Sequence, residues 1–256
     1  MNAEVLVLPG EGIGPEVVRE AVKVLEWFSS SKGLNCNIRF ERYGVPSYEK
    51  YGVLVREEGF ADLPKADAVL FGATGGPEFD ALPRRVRLSS NLLAIRKHMA
   101  VYANLRPVMA YDELSSVTSL KLSVSRQANL LIVRELNGGI YFGEPRGRKF
   151  VDSDIEVARN TLTYTTTEIE RIARVAFAIA RARGGYLHSV DKSNVLETYQ
   201  LWRDVVVRIG ADEFPDVTLH HILVDNCAMQ MIRDPKKFYV ILADNMIGYI
   251  LSDLAG

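Results

Sequence analysis

Residues Glu4-Val5-Leu6-Val7-Leu8 form an apolar, β-branched run that ends in Pro9-Gly10-Glu11-Gly12-Ile13-Gly14-Pro15-Glu16. A short run with so few polar interruptions suits a strand buried on both faces. Pro15 suits a first helical turn, where its missing N–H would have had no partner. Glu16 beside it complements the helix dipole. Val17, Val18, Ala21, Val22, Val24 and Leu25 then recur at helical spacing and predict an apolar helix face, with Gly33 marking its end. Strand, glycine turn and helix are the opening of an α/β fold. The turn invites comparison with a dinucleotide fingerprint, but that pattern is G-x-G-x-x-G and this one is G-x-G-x-G. The plainer reading is a strand-to-helix turn that glycine alone permits.

The same grammar continues along the chain. A buried strand is expected over Ala66 to Ala73, closed by Gly75-Gly76-Pro77, and a third over Asn129 to Leu136. Glycines bracket Ile140-Tyr141-Phe142, which predicts a tight loop or hairpin. The β-prone stretch Thr161 to Thr167 is expected to form an arm. Thr165 and Glu168 have capping-box spacing ahead of a helix through Ala180, stopped by Gly184-Gly185. Tyr186 to Val190 reads as a strand, with Asp191-Lys192-Ser193-Asn194 opening the next helix. A further strand and helix meet at Leu223-Val224-Asp225 and run to Arg233, and Phe238 to Ala243 leads into a helix over Ile247 to Leu254. With 256 residues there is room for two lobes, expected at 1–100 and 101–256. Polar residues stand at several strand ends, where open α/β sheets bind ligands.

Composition removes other classes. A net charge of -1 gives no basic surplus for neutralising phosphates, so nucleic acid is not the expected partner. No apolar run approaches the roughly 20 residues of a membrane helix. The start, MNAEVLVLPG, carries an acid where a secretion signal carries bases. Cys36 and Cys227 are far apart and lack CxxC spacing, which fits a reducing cytoplasm. No P-loop, HExxH or GxSxG pattern occurs, and His98, His188, His220 and His221 lack ligand spacing.

The arginines carry more information. Arg96, Arg106 and Arg134 each sit beside a strongly patterned segment, where a guanidinium fork aimed into a cleft would bind carboxylate in a bidentate manner. Asp225 at a strand end and Asp253 on the last helix are candidate oxygen ligands for Mg²⁺ or Mn²⁺.

Several segments together resemble the decarboxylating dehydrogenases of 2-hydroxy acids, the isocitrate/isopropylmalate dehydrogenase family. They are Leu8 to Glu16, Gly75-Gly76-Pro77, Asn104-Leu105-Arg106-Pro107, Val133 to Gly147, Asp191 to Leu196 and Val224 to Met229. Within the family the stretch Arg134-Glu135-Leu136-Asn137-Gly138-Gly139-Ile140-Tyr141-Phe142 is closest to the isopropylmalate branch. The resemblance implies an α/β, two-lobed subunit with a mixed sheet and a dimerisation arm on the second lobe, working as a homodimer. It implies that Arg96, Arg106 and Arg134 hold the malate carboxylates. Tyr141 and Lys192 are the implied catalytic residues, and Asp225 the implied contact to both substrate and metal. Leu92, Leu93 and Val195 match an apolar wall around the isopropyl group, and Gly75, Gly76, Pro77, Ser89 and Asn194 stand at NAD-binding positions. The implied reaction is NAD-dependent oxidative decarboxylation of 3-isopropylmalate to 4-methyl-2-oxopentanoate, on the leucine pathway.

Four features depart from the family pattern, one of them Phe238-Tyr239, where Phe-Asp is usual. Gly248-Tyr249-Ile250-Leu251-Ser252-Asp253 has Tyr249 where the family has the first of two metal-binding aspartates, which predicts weakened metal binding. Ser89 stands where a glutamate is usual. The family pattern continues past Asp253, so the resemblance implies a first lobe whose C-terminal completion is missing. Two other readings stay open at this point: a catalytically silent or fragmentary paralogue that keeps the dimerising lobe, and a relative acting on tartrate or homoisocitrate.

Overall fold

The computed structural model describes every residue except Met1, Ser90, Asn91, Ser115 and Val117, and only the backbone of Leu88 and Ser89. The chain divides into two compact units, Met1–Val101 and Tyr102–Gly256.

The first unit runs β1 (Asn2–Gly10), α1 (Gly14–Lys32), β2 (Asn35–Phe40), α2 (Val45–Tyr51), α3 (Glu57–Asp62), β3 (Ala68–Ala73), α4 (Pro77–Asp80), α5 (Arg84–Ser89) and α6 (Leu92–His98). Its sheet is parallel, with β1 between β2 and β3. That central place explains the unbroken apolar run of β1. Val5 and Val7 pack against Val18 and Val22 of α1. Leu6 and Leu8 turn the other way, onto Tyr43, Val55, Leu63 and Ile95. The α1 stripe is narrower than its valines suggest, because Val17 and Val24 are exposed while Val18 and Val22 are buried.

The second unit runs β4 (Ala103–Met109), α7 (Leu122–Ser125), β5 (Asn129–Glu135), β6 (Gly147–Asp152), β7 (Ile155–Arg159), α8 (Thr166–Ala182), β8 (Tyr186–Asp191), α9 (Glu197–Glu213), β9 (Thr218–Leu223), α10 (Val224–Arg233), β10 (Val240–Ala243) and α11 (Asn245–Ala255). Five strands form a mixed sheet in the order β4-β5-β10-β8-β9, with β4 antiparallel to β5 and the remaining pairs parallel. The layer of α8 and α9 covers one face, where Trp202 donates to Ser189 Oγ at 3.3 Å. On the other face α11 packs on β5, and α10 packs on α11 and β9. The core between sheet and helices holds Ile132, Phe177, Leu187, Trp202, Val206 and Leu242, all fully buried. The capping box forms as its spacing predicts: Glu168 N–H donates to Thr165 Oγ1 at 3.3 Å, and Thr165 N–H to Glu168 Oε2 at 2.8 Å.

Two local expectations are corrected, and the tight loop expected around Tyr141 takes a specific form. Thr161 to Thr167 is no β arm: its last residues cap and begin α8, and the hairpin of this region is β6–β7, with Phe150, Val151 and Ile155 exposed. Ile140-Tyr141-Phe142 lies in a single helical turn, Gly139–Tyr141, and in the residue that follows it. Asp191 ends β8, and the next helix starts only at Glu197, because the Asp191 carboxylate holds the Ser193 N–H at 3.0 Å in a turn. Among the described residues no helix is long and apolar enough to cross a membrane.

Candidate active site

In the first unit the glycine turn is set by close backbone approach. Gly10 has φ +76, and a Cβ there would lie 1.8 Å from the Ala73 carbonyl oxygen. A Cβ on Gly14 would come 2.2 Å from the Pro9 carbonyl oxygen. The turn carries the buried Glu11, whose carboxylate accepts from Val45 N–H at 2.6 Å, Thr74 Oγ1 at 2.9 Å and Gly75 N–H at 2.9 Å. Glu11 thereby holds the loop Thr74-Gly75-Gly76 that follows β3. That loop and Leu92 and Leu93 of α6 line one open cleft of about 520 Å³, together with Phe79 and Arg87. Pro77 opens α4, and Arg96 lies in the last turn of α6. Ser89 closes α5, and its side chain is outside the described residues.

The second unit gathers its polar residues at the C-terminal edge of the parallel strands, where such sheets bind ligands. In the antiparallel register Asn104 faces Arg134, and Arg106 faces Ile132. Directly opposed residues share a sheet face, and so do residues two apart on one strand. Asn104, Arg106 and Arg134 therefore stand on one face, and Arg106 Nε donates to Asn104 Oδ1 at 2.9 Å.

Arg134 is 4% exposed. Its Nη2 and Nε donate to Asn245 Oδ1 at 2.7 and 3.2 Å. Asn245 Nδ2 donates in turn to the carbonyls of Leu136 and Gly138, at 2.9 and 3.2 Å. The guanidinium carbon of Arg134 lies 4.7 Å from the centre of the Tyr249 ring. Tyr249 is half-exposed, and Asp253 lies one turn further along α11, exposed.

The turn after β5 is built on Glu135, which has no exposure. Its carboxylate accepts from the N–H groups of Asn137 and Gly138 at 2.9 and 2.8 Å, from Tyr164 Oη at 3.3 Å, and from Arg171 Nη2 at 3.1 Å. Glycine is required at 138 and 139 because a Cβ at 138 would meet the Tyr164 ring at 2.4 Å and a Cβ at 139 the Tyr164 hydroxyl at 2.7 Å. Tyr141 closes this turn, half-buried, and its carbonyl accepts from Arg146 Nη1 at 2.5 Å.

Past β8 and β9, Lys192 Nζ lies 2.6 Å from Asp225 Oδ1. That ammonium holds the Asp225 carboxyl below its ordinary range. Asn194 and Val195 are exposed beside it. The structure thus brings together Arg106 with Arg134, Lys192 with Asp225, and Leu92 and Leu93 with Gly75 and Gly76. Asp225 and Asp253 belong to no cluster of three or more acidic, histidine or cysteine side chains among the described residues.

Residues 4–256 match the model of the isocitrate/isopropylmalate dehydrogenase family. The chain belongs to that family. It is 47% identical over 255 residues to the 3-isopropylmalate dehydrogenase of Xanthomonas euvesicatoria pv. vesicatoria, covering all of this chain and 71% of that protein. It is 48% identical, with the same coverage, to the 3-isopropylmalate dehydrogenase of Pseudomonas putida. The crystal structure of isocitrate dehydrogenase from Methylococcus capsulatus superposes with a TM-score of 0.81 at 30% identity, covering 99% of this chain and 70% of that one. A β-decarboxylating dehydrogenase from Thermococcus kodakarensis superposes with a TM-score of 0.73 at 33% identity, covering 99% and 67%. The α/β fold with a mixed sheet and the membership in a family of decarboxylating dehydrogenases both follow.

The divalent metal implied by this family resemblance does not fit the donors present. Mg²⁺ and Mn²⁺ demand several oxygen ligands. On α11 the chain offers one carboxylate, Asp253, and the place a turn earlier is filled by an aromatic ring lying over Arg134. Asp225 is already paired with Lys192.

Sequence reasoning did not single out Glu11, Glu135, Asp244 or Asn245, though all four are buried, Glu11 holding a loop of the first unit and the others the strand ends of the second. Their common signal is a carboxylate or amide beside a glycine turn or at a strand end, where backbone N–H groups need acceptors.

Proposed function

We propose that the chain catalyses, slowly, the NAD-dependent oxidative decarboxylation of 3-isopropylmalate to 4-methyl-2-oxopentanoate, a step of leucine biosynthesis. The observation that carries this reading is the 47% identity to 3-isopropylmalate dehydrogenase along the whole chain. Arg106 and Arg134 on one sheet face support it, since two guanidinium groups suit a dicarboxylate. Arg96 is assigned to the same substrate. Leu92, Leu93 and Val195 are assigned to the isopropyl group, where an apolar wall discriminates by about 1–3 kcal/mol.

Lys192, in its neutral amine form, is assigned to take the proton of the substrate hydroxyl, and Tyr141 to return a proton to the carbon that loses carbon dioxide. The arginines orient the dianion and offset its charge. Gly75, Gly76, Pro77, Ser89 and Asn194 are assigned to NAD, which when bound accepts the hydride. Asp225 and Asp253 are the residues on which any divalent metal would depend.

A homodimer with shared sites is part of the reading. Lys192 follows β8, which β10 separates from β5 and Arg134. The family resemblance implies that Lys192 and Asp225 serve the arginine face of the partner subunit rather than that of their own chain. The exposed apolar hairpin β6–β7 is a surface such a partner would cover. Two free cysteines suit a cytoplasmic enzyme.

NADH formation from 3-isopropylmalate, beside malate, tartrate and homoisocitrate, tests the proposal. Turnover confined to 3-isopropylmalate is the expected result. Preference for tartrate or homoisocitrate moves the substrate elsewhere in the family. Tyr249 favours a second reading, a silent paralogue retaining the dimerising lobe. Inactivity on all four acids in a chain that dimerises would establish that one.

A further inference from the structure

Arg134 rests on one face of α11. Asn245, Gly248 and Tyr249 stand at i, i+3 and i+4, so they lie together on the helix surface. A Cβ at Gly248 would come 2.7 Å from Arg134 Cγ, so the aliphatic stem of the arginine lies against bare helix backbone. Asn245 Oδ1 takes two guanidinium N–H groups, and the Tyr249 ring lies against the guanidinium carbon at 4.7 Å. The amide and the phenol are both uncharged. They fix the plane of the fork without adding an anion that competes for it.

A carboxylate at position 249 would act differently. It would stand within reach of Arg134 as a competing anion, and it would repel an incoming dicarboxylate unless a divalent cation neutralised it. An aromatic face attracts the guanidinium through its quadrupole instead and leaves no such repulsion.

We propose that Tyr249 is a positioning residue that uncouples anion binding from metal binding: the Arg134–Arg106 face takes a dicarboxylate without a divalent cation. This rests on the reading of that face as the 3-isopropylmalate site, and deepens it.

Calorimetric titration of the full chain with 3-isopropylmalate, in Mn²⁺ and in EDTA, tests it. The expected dissociation constants agree within about threefold between the two buffers. Tyr249→Asp is expected to weaken binding in EDTA by about tenfold or more and to recover with Mn²⁺. Tyr249→Phe keeps the ring and is expected to keep metal-independent binding, which also guards against a misfolded aspartate variant. Binding by the wild type only in Mn²⁺ overturns the inference and leaves the substrate reading intact. Metal-independent binding by Tyr249→Asp overturns the role of residue 249. Absence of binding in both buffers overturns the substrate reading, and the inference with it.

Discussion

Asn245 Oδ1 lies 2.7 Å from Arg134 Nη2, tying the first residue of α11 to the penultimate residue of β5. The same amide reaches the Leu136 and Gly138 carbonyls, so one side chain aligns both the guanidinium fork and the glycine turn behind it. Replacing Asn245 with Ala leaves buried polar groups without this partner. The expected loss is about 1–3 kcal/mol in urea unfolding. Binding of 3-isopropylmalate should weaken by about tenfold as the fork loses its orientation. Stability unchanged within error would show that the amide is dispensable.

Glu135 offers four donors a single buried carboxylate. Glu135→Gln puts an NH₂ group against backbone N–H donors and removes the charge facing Arg171. A loss of about 2–4 kcal/mol is expected by denaturant titration, because removing one member of a buried hydrogen-bonded charge pair leaves the others unsatisfied. Arg171→Ala should cost less, since its side chain is partly exposed while that of Glu135 is not.

Asp244 caps α11 through Ile247 N–H at 2.7 Å and accepts from Tyr199 Oη at 2.8 Å. Burial raises its carboxyl from 3.8 to about 6. The unfolded chain therefore ionises this group at lower pH than the folded one. Its contribution favours folding below the unfolded value and is lost as pH rises through about 6. Urea midpoints across this window should fall with rising pH for the wild type more steeply than for Asp244→Asn. Parallel curves for the two proteins would remove Asp244 as the titrating group.

Gly10→Ala places a methyl carbon on the Ala73 carbonyl oxygen at a positive φ. The first unit should lose about 2–4 kcal/mol, since β1 and β3 must part to admit it. Limited proteolysis with peptide mapping should find the new cuts within Met1–Val101, with Tyr102–Gly256 protected. Protection of the first unit equal to wild type would count against the contact.

Part of this architecture was legible because it rests on local chemistry. The β1–α1 turn announces itself through glycine and proline, whose backbone limits act without any tertiary partner. The capping box at Thr165 is likewise settled within four residues. Thr161 to Thr167 forms no arm because β propensity says little about whether a neighbouring strand exists, and the hairpin forms instead at Gly147 to Arg159, where two segments pair. The helix expected at Asp191 begins at Glu197 because the Asp191 carboxylate bonds Arg203 on α9, at 2.9 and 3.0 Å, as well as Ser193 in the turn.

The sequence by itself determined the α/β grammar, the family and the identity of the polar residues at the strand ends, since each is written in short motifs and apolar period. Only the tertiary structure decided what those residues face. Arg134 and Tyr249 are 115 positions apart in the chain and share no local pattern. Their stack exists because β5 and β10 are neighbours, which brings α11 over the end of β5. A tyrosine that in sequence reads as a lost ligand becomes, in three dimensions, the surface on which an arginine is held.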